Sequence, residues 1–235
     1  MEIKIFTHLS NNENEGDEYS YFIYYPNYFN EKEKCYMRRY LDGMDDFKYN
    51  INANYTGNVR LQKWYQTNCK YFSPKWKYTL PWWESFKYDK ILLNIQKKIL
   101  FDISNKTILG NIFNKYNINI PNINSCLINK YRDGQDHIIP HNNIYNSFGK
   151  YPTICGLSIG DTRYLRVKSI VNNYKKINGL SKLNKGICDV NFDYLLEDGS
   201  LLIMAGASQK YFSNEIIKNM SSKTRYSLTF REFII

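Results

Sequence analysis

The sequence predicts an α+β fold in which helices come first and an antiparallel β core follows. Two patterns carry that expectation. Tyr88, Ile91, Leu92, Ile95 and Ile99 repeat at the spacing of one helical face. Five short runs of strand-forming residues then crowd the second half: Cys126 to Tyr131, Ile154 to Ile159, Tyr164 to Val167, Leu201 to Met204 and Tyr226 to Phe233. A third observation sets the scale, since 235 residues with 43% hydrophobic content can bury one substantial core.

Taken in order, residues 1–54 begin acidic (Glu13, Glu15, Asp17, Glu18), become tyrosine-rich, and then favour a helix from Glu31 to Leu41. Asn30 supplies its N-cap, Met37, Tyr40 and Leu41 its apolar side, and Gly43 its stop. Arg60 to Lys90 is the most unusual stretch, with ten aromatic residues in 31 and seven Lys or Arg against two acids. Alternating cations and rings suit a surface that stacks bases while following a phosphate backbone. They equally suit hairpins whose rings fill a core while the lysines stay solvated. Lys168 to Cys188 reads as a polar insertion.

The formal charge of +10 favours an anionic partner such as nucleic acid. No apolar run reaches the ~18 residues of a membrane-spanning helix, and Met1 to Ser10 lacks the layout of a signal peptide, so the expectation is a soluble intracellular protein of cytoplasm or nucleus. Cys35, Cys69, Cys126, Cys155 and Cys188 are odd in number, scattered and without a CxxC pair, which argues for reduced thiols rather than disulfides or a zinc site.

Strand periodicity places Asn129 and Tyr131 on one face, and Arg225, Ser227, Thr229 and Arg231 on one face of the last strand. Six residues of straight strand span about 20 Å, so both arginines serve one small ligand only if the strand curves or their side chains converge.

Four segments then carry a resemblance. Leu127-Ile-Asn-Lys-Tyr-Arg-Asp-Gly-Gln-Asp-His-Ile-Ile-Pro-His141, Leu157-Ser-Ile-Gly-Asp-Thr-Arg163, Asp198-Gly-Ser-Leu-Leu-Ile-Met204 and Arg225-Tyr-Ser-Leu-Thr-Phe-Arg231 resemble, in the same order, the AlkB family of oxidative nucleic-acid demethylases, closest to its DNA- and RNA-repair members. Lys70-Tyr-Phe-Ser-Pro74 is similar to an element of that family's nucleotide lid. The resemblance implies a double-stranded β-helix (jelly-roll) core and a lid that grips a flipped base. It divides the chain into a partly helical N-terminal extension, 1–54, and an AlkB-like domain, 55–235, with its lid at 55–90.

Family members use Fe(II) and 2-oxoglutarate to hydroxylate an N-alkyl group, the iron being held by an HxD pair and a distant histidine. By position, Asn129, Tyr131, Arg225 and Arg231 match the 2-oxoglutarate contacts, and His141 matches the first metal ligand. The aspartate position is Asn143, and the distal histidine falls at Asn214, or at Ser213 after a one-residue slip. Tyr145 stands where the family's next acidic residue helps recognise the damaged base. Amides in place of a carboxylate and an imidazole bind Fe(II) poorly. Nor does His137 rescue the site, because four extended residues hold it about 13 Å from His141.

The expectation is therefore an AlkB-like protein without catalysis, and without a cofactor, that binds nucleic acid or a protein partner. Trp64, Tyr65, Tyr71 and Phe72 are the expected stacking residues, and Lys70, Lys75, Lys130 and Arg132 the expected phosphate contacts. Two alternatives stay open. One is an active demethylase using Fe(II) and 2-oxoglutarate at an atypical metal site; the other is a scaffold that ignores nucleic acid.

Overall fold

The computed structural model describes residues 1–8, 16–49, 60–67, 71, 76–79, 81, 83–142, 145–170 and 190–234. Two antiparallel strands open the chain, β1 (Glu2–His8) and β2 (Glu18–Tyr25), ahead of the first helix α1 (Glu31–Asp42). Asn30 caps α1 through a reciprocal box with Glu33, and the Gly43 amide closes it on the Arg39 carbonyl. There follow β3 (Lys48–Tyr49), β4 (Leu61–Gln66), α2 (Trp76–Thr79), α3 (Lys90–Ser104) and α4 (Ile108–Lys115). The Asp89 carboxylate caps α3 by accepting from the Ile91 and Leu92 amides, 2.9 Å each.

The second half of the chain is mostly strand: β5 (Ser125–Tyr131), β6 (Ile138–His141), β7 (Ile154–Gly160), β8 (Arg163–Ser169), β9 (Asn191–Leu196), β10 (Leu201–Gly206), β11 (Phe212–Ile216) and β12 (Arg225–Arg231). Two one-turn helices interrupt it, α5 (Tyr145–Phe148) and α6 (Ser208–Tyr211). All five strand-like runs read from the sequence are strands.

The strands form an eight-stranded sheet, β1-β2-β10-β7-β12-β5-β4-β3, and a four-stranded sheet, β6-β11-β8-β9. Alternation along each strand builds two cores. Outward residues of the large sheet, among them Cys126, Ile128, Leu157, Ile203 and Leu228, meet Met37 and Leu41 of α1 and the Leu92–Ile95–Ile99–Ile103 stripe of α3. Each fully buried aliphatic side chain there contributes on the order of 1.5–3 kcal/mol. Inward residues, including Phe22, Ile154, Leu202 and Met204, face Leu165, Val167, Tyr194, Phe212 and Ile216 of the small sheet. Two sheets closing on a shared interior are the jelly-roll expected from the sequence.

Two expectations are corrected. The division at residue 54 falls inside one sheet, because β2 pairs with β10 from Leu201–Tyr25 to Gly206–Ser20 and α1 packs on the same core. Strands rather than helices also come first. β2 packs Tyr21, Ile23 and Tyr25 against one core and Phe22 and Tyr24 against the other, which removes the apolar–polar alternation that marks a half-exposed strand. The expected polar insertion lies, from 171 to 189, outside the described residues.

Candidate ligand cavity and the metal-triad positions

A cavity of about 250 Å³ opens between the two sheets. Its polar wall comes from alternate positions of β5 and β12: Asn129 and Tyr131 from the first, Arg225, Ser227, Thr229 and Arg231 from the second. The two strands are register neighbours, Arg225 opposite Tyr131 and Arg231 opposite Ser125. Both arginines therefore reach one cavity. The apolar wall is Ile154, Leu165, Leu196, Leu202, Met204 and Ile216.

Arg225 is 1% exposed. Its Nη2 donates to Ser158 Oγ at 2.8 Å, its guanidinium lies 5.1 Å from the Tyr131 ring centre, and its Nε and Nη1 have no hydrogen-bond partner. Arg231 is also buried, 4.2 Å from the Phe148 ring centre and 5.8 Å from that of Trp64, and burial brings its pKa down to about 10. Arg60, which the sequence marks only as part of the aromatic–basic stretch, is a third guanidinium in this wall. Its Nε donates to Asn129 Oδ1 at 2.7 Å, where Gln62 Nε2 also donates at 3.0 Å, and its Nη1 is buried without a partner. Neither Arg60 nor Arg225 has an ion-pair partner among the described residues. Ordinarily a buried cation is paired or neutralised, so burial lowers both pKa values.

His141 ends β6 and faces Asn214 of β11 in register, and both line the cavity. Of the two residues, Asn214 lines the cavity, while the Ser213 hydroxyl lies 3.5 Å from the Lys168 carbonyl. His141 Nδ1 lies 3.1 Å from the Ile139 carbonyl. Burial lowers the His141 pKa and the Arg60 and Arg231 charges add to the effect, against main-chain hydrogen bonding to Ile139 and Asn214. Asn143 lies outside the described residues, and the Tyr145 side chain is likewise not described.

The donor set does not fit a ferrous ion. One imidazole faces one carboxamide, three guanidiniums share the wall, and no carboxylate lines the cavity among the described residues. No three His, Cys, Asp or Glu side chains come together elsewhere among those residues. Three acids carried near the motif segments are engaged elsewhere: Asp161 accepts from the Thr162 and Lys223 amides, Asp198 pairs with Arg38 at 2.6 Å, and Glu215 pairs with Lys168 at 2.9 Å. His137 is turned to the Gln135 carbonyl, 2.8 Å away, and does not line the cavity.

The loop that brings His141 into place is braced by a residue the sequence reading passed over. Arg163 is fully buried and donates to the carbonyls of Asp133 (3.1 Å), Asp136 (2.8 Å) and Ile217 (2.5 Å). It thus ties the β5–β6 loop to the end of β11, and its guanidinium lies 5.6 Å from the Tyr131 ring centre. Gly134 belongs to the same brace, since a Cβ there would sit 1.7 Å from the Asn219 carbonyl oxygen.

The expected nucleic-acid contacts scatter. Trp64 and Tyr65 are 3% and 4% exposed, and they point to opposite faces of β4, into different cores. As placed, neither offers an open face to a base, which corrects the expectation that they form a platform. Lys130 lies on the face opposite Asn129, 5.4 Å from the ring centres of both Phe47 and Tyr226. Arg132 is already held in a two-pronged pair with buried Asp136, at 2.9 and 2.8 Å. Tyr71 is half-buried, and Lys70, Phe72 and Lys75 lie outside the described residues.

Comparison with known proteins adds family context to this geometry. The 2OG-Fe(II) oxygenase superfamily matches residues 22–231. Alpha-ketoglutarate-dependent dioxygenase alkB homolog 3 of Mus musculus and of Homo sapiens are each 32% identical over 117 residues, covering 46% of this chain and 36% of the relative. The chain thus spans about a third of the length of the curated relatives it matches. Among solved structures, a Pseudomonas putida prolyl-4-hydroxylase superposes with a TM-score of 0.51 at 11% identity, covering 91% of this chain and 92% of that one. That likeness concerns the fold alone.

Proposed function

Because this chain belongs to the 2OG-Fe(II) oxygenase superfamily, as an AlkB-like member, we propose that it keeps the fold and the carboxylate-binding wall but has lost iron-dependent turnover, and acts by binding nucleic acid. The observation that carries the loss of turnover is the pairing of His141 with Asn214 in a cavity lined by three guanidiniums and no acid among the described residues. A divalent cation there would meet one imidazole nitrogen, neutral amide oxygens and nearby positive charge. Binding to nucleic acid is supported by the net charge of +10 and by the resemblance to a nucleic-acid family.

Two measurements test the two halves separately. Protein loaded anaerobically with Fe(II) and 2-oxoglutarate, then given oxygen and a methylated oligonucleotide, should release no succinate above background. Stoichiometric succinate or repaired base would restore the demethylase. A labelled single strand should bind with affinity that falls steeply between about 50 and 200 mM salt. Absence of binding at the lower salt would remove nucleic acid as the partner.

A further inference from the structure

A jelly-roll built from two open sheets still ends in edge strands, whose outer amides and carbonyls have no ladder partner. Among the described residues β1 and β3 end the large sheet, and β6 and β9 end the small one. Three of these are poor templates for pairing. β3 has two residues, β6 contains Pro140, and β9 carries Asp193 with no basic residue of its own to set opposite it in a copy. β1 is different. All seven of its residues pair with β2, from Glu2 opposite Tyr24 to His8 opposite Glu18, without a bulge or a proline. It is also held from behind, since Phe6 stacks on Phe192 of β9 at 5.5 Å and Lys4 Nζ lies 5.4 Å from the same ring centre. Its side chains separate by chemistry. Ile3 packs against the outer core with exposed Met1 and Ile5 on its own face, whereas Glu2 and Lys4 share the other face and pair with each other.

We propose that β1 is a self-association edge: a second copy of this chain lays its own β1 antiparallel to the first about a twofold axis at Ile3, so that the large sheet continues from one copy into the other. The side chains set the register. A pairing that keeps both faces of the sheet continuous must centre on a residue rather than between two. Centring on Glu2 or on Lys4 sets like charges against each other, and centring on Ile5 sets Lys4 against Phe6 of the copy. Centring on Ile3 sets Glu2 against Lys4 of the copy, twice by symmetry, with Ile3 against Ile3 and Met1 beside Ile5 on the apolar face. The charge that ordinarily keeps an edge strand apart thus meets its opposite. So short a contact implies a weak, reversible dimer. It involves neither the cavity nor nucleic acid.

Sedimentation velocity of the full chain over roughly 1 to 100 µM, the range suited to a small interface, reads the association. The sedimentation coefficient should climb with concentration from monomer toward dimer and no further. Glu2→Lys or Lys4→Glu alone sets like charges across the axis twice, and should weaken dimerisation on the order of tenfold with an unchanged circular-dichroism spectrum. An equimolar mixture of the two variants should recover the parental affinity, because each chain then offers the charges that the other lacks. Lys97→Glu, on the exposed side of α3, should leave association as it was. Should a charge variant not fold, hydrogen exchange on the parent chain reads the same contact, as amide protection within β1 that rises with protein concentration. A chain that stays monomeric, assemblies larger than a dimer, a folded single variant that dimerises like the parent, a mixture no tighter than its components, or protection that rises only outside β1 would each overturn the proposal.

Discussion

Two polar regions of this protein are built on opposite plans. Beside α6, Glu18 gathers Lys210 (2.5 Å), the Tyr211 hydroxyl (2.6 Å) and the Tyr151 hydroxyl, while His8 bonds Ser20 at 2.7 Å and stacks on Tyr211. Burial pushes the Glu18 carboxyl up, but those hydrogen bonds outweigh it and bring the pKa down to about 2. Charge there is matched by charge. In the cavity, by contrast, Arg60 and Arg225 are enclosed with no acid lining it among the described residues. The first region holds the β1–β2 hairpin to the rest of the barrel. The second carries a stability cost that a structural role does not require, which is what a ligand-binding wall should look like.

The sharpest test of that difference compares two arginines that share one tyrosine. Arg163→Met would strand one buried and two partly buried carbonyls and release the loop leading to His141, so it should cost ~4 kcal/mol, read as a lower urea midpoint. A loss below about 1 kcal/mol would mean that the brace is not structural.

Next in size is the acid response of the paired region. Burial lowers the His8 pKa to about 4, so between pH 6.5 and 4 the unfolded chain takes up the proton first. Stability should therefore fall as pH drops through that window, by up to about 3 kcal/mol. The Glu18 contribution, fully present above its unfolded value of 4.5, should be lost toward pH 2. Thermal melts of His8→Phe should lack the fall between pH 6.5 and 4 and keep the one below it. A variant as acid-sensitive as the parent would clear His8 of any part in it.

The smallest expected effect has the opposite sign. Arg225→Met removes a buried cation that has no acid partner among the described residues, so the melting temperature should hold or rise, by ~1 kcal/mol in stability. A marked loss would place Arg225 with Arg163 as a structural residue and erase the contrast.

How much of this was legible in the sequence depends on what each pattern encodes. The second-half strands were readable because their turns are well marked and their inward positions alternate with outward ones. Arg225, Ser227, Thr229 and Arg231 fall on one wall as that alternation requires. β2 was missed because both of its faces pack on apolar surroundings, so its run does not alternate in polarity. That Asn214 rather than Ser213 lines the cavity needed the pleat, since residue type alone does not tell which side each faces. Trp64 and Tyr65 misled because composition reports that rings and cations are interleaved and not which side is covered. Arg60 carried no separate signal: only the pairing of β4 with β5 sets it beside Asn129.

The pairing of β2 with β10 has a practical consequence for anyone wishing to shorten the chain. A fragment begun at residue 55, where the sequence invites a cut, would strip β1 and β2 from one edge of the large sheet and β3 from the other, and leave Leu201 to Gly206 with an unsatisfied row of amides and carbonyls along a greasy border. Such a border recruits strands from other molecules, so the fragment would be expected to precipitate for reasons unrelated to its cavity.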